Sequence, residues 1–266
     1  MIDPANVRAL VLDMDGVLWR GSALLDGVRE LFQVIERLKL ASVVATNNAT
    51  VDPASVMERL ARAGVAFPAA RVLTSADAAG GYLARNFPPP IRVHVIGEEP
   101  LRRSLTASGC QVVDGDGEPQ AVVVGMDRRL DWAKLIDATL AIRAGAVFIG
   151  TNPDRTFPSE RGIGPGNGAV LAALEAATGV APIVVGKPEP HLFLEAARRV
   201  QVDPDQALVV GDRLETDILG GQRAGMPTAL ILTGVTSKDQ LSASTIHPDV
   251  VLDDLLSLAA WLEATP

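Results

Sequence analysis

The chain has 266 residues, 48% of them hydrophobic, which is enough apolar surface for about two compact cores. A formal charge of -8 and a pI near 4.9 leave no basic run to neutralise a phosphate polymer, so nucleic acid and anionic membranes are excluded as partners. Cys110 is the single cysteine, which rules out an intramolecular disulfide and thiolate metal clusters and predicts a buried, inert thiol in a reducing compartment.

Residues 1–10 have neither a basic start nor a long apolar stretch, and no run of about 18 apolar residues follows, so a soluble, cytoplasmic protein is expected. Residues 7–12 read as the first strand. Behind Asp26 as a helix cap, Val28, Leu31, Ile35 and Leu38 recur at helical spacing, and residues 41–45 read as the next strand. Asp52-Pro53 opens another helix, which Gly64 closes. Further strands are read at 92–96, 121–124, 146–149, 183–185, 207–210 and 228–232, with helices between most of them. This alternation is the mark of an α/β fold with a parallel sheet. Three prolines at 88–90 and the glycine- and proline-rich stretch 162–168 bracket or interrupt a middle segment with strands and helices of its own.

Four groups of polar residues fall at ends of strands read here as core strands. Asp13-Met14-Asp15-Gly16-Val17 follows the first strand, and ligands of open α/β sheets bind outside the carboxyl ends of strands. Two carboxylates so close repel unless a cation lies between them. A hard ion such as Mg²⁺ suits oxygen ligands, and His94, His191 and His247 are too scattered to suggest zinc. Alone, the motif is equally a solvated turn. Thr46-Asn47-Asn48 offers a hydroxyl and backbone N–H groups to phosphate oxygens, although Asn-Asn is also turn chemistry. Gly186-Lys187-Pro188-Glu189-Pro190 holds one of only four lysines in a chain with 20 arginines, and an ammonium suits a small anionic centre better than a guanidinium fork. Gly211-Asp212-Arg213-Leu214-Glu215-Thr216-Asp217 adds a third carboxylate at Asp212, with Asp217 at the start of the next helix, where the dipole would favour it. The four together predict a phosphoryl-handling site.

The ordered set DMDGV, TNN, GKPEP and GDRLETD resembles the haloacid dehalogenase superfamily, in its NagD-like 4-nitrophenylphosphatase branch. Residues 124–128, 150–154, 165–169 and 224–228 carry further likeness, so the resemblance spans nearly the whole chain. It implies a Rossmann-like parallel-sheet core built from residues 1–78 and 183–266, with an α/β cap inserted at 79–182 that selects the substrate. It also implies a Mg²⁺ cofactor held by Asp13, by the backbone carbonyl of Asp15 and by Asp212, with Asp217 in support. Asp13 would be the nucleophile and Asp15 the general acid and base, while Thr46, Asn47, Asn48 and Lys187 bind the phosphoryl group. The implied function is hydrolysis of small-molecule phosphate monoesters through an aspartyl-phosphate, by a protein for which a homodimer is an open state of assembly.

A second aspartate beside the nucleophile favours phosphoryl transfer over dehalogenation, where no acid is needed for the leaving group. Two other readings keep the same residues: a phospho-acceptor signalling module, against which the middle segment and Asp15 argue, and a sugar-phosphate mutase. Glycines 162, 164, 166 and 168 precede a helical run with no strand leading into them, which predicts a hinge or turn and not a dinucleotide loop. Trp19, Trp132 and Trp261 read as packing residues. Residues 151–158 are the expected substrate lining. In the resemblance, relatives acting on pyridoxal phosphate carry a histidine where this chain has Phe157, which counts against that substrate; Phe157 is equally a core residue.

Overall fold

The structure, a computed structural model, describes residues 2–114, 117–159 and 162–264. The chain forms two compact units. The first comprises Met1–Thr46, Pro53–Leu73 and Pro188–Pro266; the second comprises Asn47–Asp52 and Thr74–Lys187.

The first unit is built on a six-stranded sheet in the order Val250–Leu252, Thr228–Ile231, Ala207–Gly211, Ala9–Leu12, Ala41–Thr46, Val72–Thr74. Ala9–Leu12 pairs in parallel with Ala207–Gly211 on one side and Ala41–Thr46 on the other. All four of its side chains are fully buried, so it carries a continuous apolar run instead of an alternating one, as a strand covered on both faces must. From Ala9–Leu12 the early strands extend the sheet in one direction and the late strands in the other. That makes the end of this strand a switch point, the place at which ligands of open α/β sheets bind.

The helix Val28–Arg37 buries Val28, Leu31, Val34 and Ile35. Its N-cap is Gly27, not Asp26: Gly27 takes a left-handed φ of 86°, and a Cβ there would lie 3.0 Å from the backbone nitrogen of Leu256. Leu38, expected on the apolar stripe, ends the helix 42% exposed. The helix Pro53–Arg62 has proline at its first position, where no intrahelical N–H is lost, and Gly64 follows at φ 76°.

The second unit has its own parallel sheet, ordered Ile183–Val184, Val147–Gly150, Ala121–Val124, Ile91–Ile96, Cys110–Val113. Ile96, Val122, Val124, Phe148, Leu171 and Leu174 form its core with Ala138 and Ile142 of the helix Trp132–Arg143. Cys110 is buried on the edge strand, and burial pushes its thiol pKa up, which keeps it protonated and inert.

Two expectations are corrected. The strand before Lys187 pairs with Ile149 and Gly150 and so belongs to the second unit's sheet, not to the sheet of Asp13. Only two residues long, it carries too little pattern to announce its partner. Nor does the stretch after residue 162 lack a strand. Gly162–Pro165 pairs antiparallel with Thr156–Ser159 and leads directly to the helix Asn167–Thr178. Its glycines serve close packing: a Cβ on Gly166 or Gly168 would lie 2.3 Å from the carbonyl oxygens of Asp154 and Pro153 respectively.

Candidate active site

In the first unit three neighbouring strands end side by side. Leu12 stands opposite Val44 and Val210, so the next residues on all three chains emerge at the same edge of the sheet. Asp13 is fixed there by its N–H, which donates to the carbonyl of Val210 at 2.8 Å. Thr46 ends its strand 4% exposed, and Asp212 follows Gly211 at 1% exposure.

Among the described residues, Asp13, Asp212 and Asp217 offer carboxylate oxygens that all lie within 4.8 Å of one another. Such a group is strongly self-repelling without a cation. Its donors are oxygen only, with no histidine or thiol among them, which fits a hard divalent ion such as Mg²⁺. Asp212 is held in place by hydrogen bonds: its Oδ2 accepts from the N–H of Val235 at 2.7 Å, and its carbonyl accepts from the N–H of Thr236 at 3.1 Å. A Cβ on Gly16 or Gly234 would come within 2.3 or 1.8 Å of that Oδ2, so two glycines let the backbone close around the carboxylate.

Asp217 was expected at a helix start in a supporting role. It lies instead within a π-helical turn, Leu214–Ile218, and its carboxylate joins the other two. Asp217 Oδ2 accepts from the N–H of Arg213 at 3.2 Å, and a Cβ on Gly211 would strike the Asp217 side chain at 2.1 Å. Wide turns of this kind often re-aim side chains at functional sites.

Asp15 stands apart from that carboxylate group. It is exposed, and its Oδ1 accepts a hydrogen bond from the indole N–H of Trp19 at 3.0 Å. Trp19, read from sequence as packing alone, is 2% exposed and lies under the guanidinium of Arg59, 4.1 Å from ring centroid to Cζ. Burial pulls the Arg59 pKa down while the charge of Asp15 opposes it. No periodicity announces this cluster, because Trp19 begins the two-residue strand Trp19–Arg20, which pairs with Ala23–Leu24 and is too short for an alternating pattern.

The remaining expected residues fall in the second unit. Asn47 clasps the backbone of Lys187 from both sides: its Oδ1 accepts from the Lys187 N–H at 2.7 Å, and its Nδ2 donates to the Lys187 carbonyl at 3.0 Å. The carbonyl of Asn47 in turn accepts from Ser75 Oγ at 2.6 Å and Asn152 Nδ2 at 3.0 Å. Gly186 is required beside the clasp, since its Cβ would lie 2.6 Å from Asn47 Oδ1. Lys187 is 2% exposed. Asn48 spends its side-chain oxygen on a local turn, accepting from the N–H and hydroxyl of Thr50 at 3.0 and 2.8 Å. Within the expected lining, Thr151 and Asn152 are buried, and Phe157 packs 5.9 Å below the guanidinium of Arg128; the side chain of Pro158 lies outside the described residues.

A family model for haloacid dehalogenase-like hydrolases matches residues 10–111, and one for HAD-hydrolase-like proteins matches residues 184–258. An acid sugar phosphatase of Staphylococcus saprophyticus is 34% identical over 258 residues, covering 97% of this chain and 99% of the relative. The crystal structure of a 4-nitrophenylphosphatase from Thermotoga maritima superposes with a TM-score of 0.89 at 31% identity, covering 99% of both chains. A glycerol phosphate phosphatase from Mycobacterium tuberculosis, solved with magnesium, gives a TM-score of 0.87 at 38% identity over 97% of this chain and 78% of that one. With its motifs, its parallel-sheet fold and its full-length relatives in agreement, the chain belongs to the haloacid dehalogenase-like hydrolases, in the NagD-like 4-nitrophenylphosphatase branch of phosphoric monoester hydrolases.

Proposed function

We propose that the chain hydrolyses small-molecule phosphate monoesters with Mg²⁺, through an aspartyl-phosphate on Asp13. The observation that carries this reading is the meeting of Asp13, Asp212 and Asp217 within 4.8 Å at the carboxyl edge of the sheet's switch point. Mg²⁺ held by this group would neutralise the charge that builds on the phosphoryl oxygens. Asp13 attacks phosphorus with a carboxylate oxygen, and the bond from phosphorus to the ester oxygen breaks. Asp15 gives its proton to that departing oxygen. Water then attacks the aspartyl-phosphate, Asp15 takes the water's proton, and the bond from phosphorus to Asp13 breaks, releasing phosphate. Thr46 and Lys187 are assigned to the phosphoryl oxygens, with the Asn47 side chain serving Lys187 instead of substrate. Mg²⁺ in particular and the substrate range of sugar or glycerol phosphates are parts of this proposal that the names of the relatives support; leaving-group selection by the second unit is a further part of it.

Release of inorganic phosphate from 4-nitrophenyl phosphate and from a panel of sugar and polyol phosphates, with Mg²⁺ and after chelation, tests it. Steady turnover that stops on chelation is expected. A single stoichiometric phosphorylation without turnover would overturn it, as would isomerised sugar phosphate without free phosphate. Asp13→Asn is expected to abolish turnover with the fold intact by circular dichroism.

A further inference from the structure

We propose that Trp19 is a positioning residue for proton transfer: its indole N–H fixes the Asp15 carboxylate so that Oδ2 is the oxygen that carries the proton. The inference rests on the reading of Asp15 as general acid and base. An exposed aspartate left to itself samples several rotamers, and a general acid must hold its proton within hydrogen-bond reach of the leaving oxygen. Asp15 is exposed, yet its Oδ1 is tied to a group that scarcely moves.

Several contacts make Trp19 rigid. Its backbone N–H donates to the carbonyl of Met14 at 3.3 Å, and its carbonyl accepts from the N–H of Gly16 at 2.7 Å. It pairs with Leu24 across the short hairpin and bridges directly to Asp15. Arg59 lies over the ring and donates its own N–H to the carbonyl of Gly21, so the cation is anchored to the same hairpin. A cation on the ring face also polarises the indole N–H and strengthens it as a donor.

The chemistry of the donor sets the direction of the effect. An indole N–H can only donate, so it must face a lone pair of the carboxyl group in both protonation states. Oδ1 therefore stays the acceptor, and the proton gained or lost in each half-reaction resides on Oδ2. The same contact serves the acid step and the base step without rearrangement.

The test uses leaving groups of unequal need for protonation. For an aryl phosphate such as 4-nitrophenyl phosphate the departing phenolate leaves with little help, whereas the alkoxide of glycerol phosphate requires a proton. Trp19→Phe keeps the ring and removes the donor. Its kcat/KM for glycerol phosphate is expected to fall about 10- to 100-fold, with less than about a threefold change for 4-nitrophenyl phosphate. Asp15→Asn should show the same selectivity in stronger form, and adding Trp19→Phe to it should cost nothing more. Should Trp19→Phe fail to fold, 3-benzothienylalanine at position 19 replaces N–H by sulfur in an otherwise matching ring, with the same outcome expected. Equal losses on both substrates, or none, in a chain where Asp15→Asn remains selective would overturn the role of Trp19 and leave that of Asp15 standing. Loss of selectivity in Asp15→Asn itself would remove the acid assignment and this inference with it.

Discussion

Gly16 and Gly64 both sit at left-handed φ, 89° and 76°, but nothing lies within 4 Å of a Cβ built on Gly64, whereas one on Gly16 meets Asp212 Oδ2 at 2.3 Å. The pair separates two costs that usually travel together. Gly64→Ala should lose only the backbone strain of an L residue at positive φ, about 1 kcal/mol. Gly16→Ala adds displacement of a buried carboxylate, so a loss of about 1–3 kcal/mol is expected, together with a higher Mg²⁺ concentration for half-maximal activity. Thermal unfolding and a Mg²⁺ titration of both variants would check this; an unchanged Mg²⁺ requirement in Gly16→Ala would mean that Asp212 does not hold the ion. The carbonyl of Gly16 also accepts from the Thr233 hydroxyl at 2.7 Å, which ties it to the residue before Gly234, whose own Cβ would meet the same Asp212 Oδ2.

Among the elements, the clasp between Asn47 and Lys187 joins two loops 140 residues apart through a pair of hydrogen bonds. If Asn47 acts on catalysis only by orienting Lys187, the two residues must behave as one unit. Lys187→Ala is expected to lower kcat/KM about 10²- to 10³-fold and Asn47→Ala about 10- to 100-fold, yet the double variant should be no slower than Lys187→Ala alone. Additive losses would instead put the Asn47 side chain on the substrate. The clasp was not legible in the sequence, where Thr46-Asn47-Asn48 announced phosphate contacts but not which amide would turn toward protein. Long-range pairing leaves no periodic trace. What the sequence did carry was the strand at 7–12, the helix spacing after it, and the polar groups at strand ends, because burial on both faces and helical repeat are local. The sheet of Ile183–Val184 is not legible locally, because a two-residue strand takes its partner from Ile149 and Gly150, far along the chain. Asp217 meets Asp13 and Asp212 because a π-helical turn, not a standard helix, aims it, and no local repeat marks such a turn. The helix cap went to Gly27 over Asp26 because packing against Leu255 and Leu256 left no room for a side chain.

For the whole molecule, each unit has its own parallel sheet, and no helix among the described residues is long and apolar enough to cross a membrane. The second unit carries an acid-sensitive weak point. His94 lies on its strand Ile91–Ile96, 5% exposed, with no hydrogen-bond partner for Nε2 among the described residues. Burial lowers its pKa below the ordinary value; Asp137, Asp114 and the carbonyl of Val113 push it back up, and Arg102 adds to the lowering. The sign follows from linkage. The folded protein holds His94 neutral, while the unfolded chain takes up a proton as pH falls past about 6.5. Stability is therefore complete above that pH and declines as pH drops from there toward the lowered pKa of the folded state, where the loss levels off. Replacement by leucine removes both the titration and the buried nitrogen without a hydrogen bond. The thermal midpoint of the natural chain should fall between pH 7.5 and 5.5, and His94→Leu should flatten that part of the profile. Equal slopes in the two proteins would assign the acid sensitivity to groups other than His94.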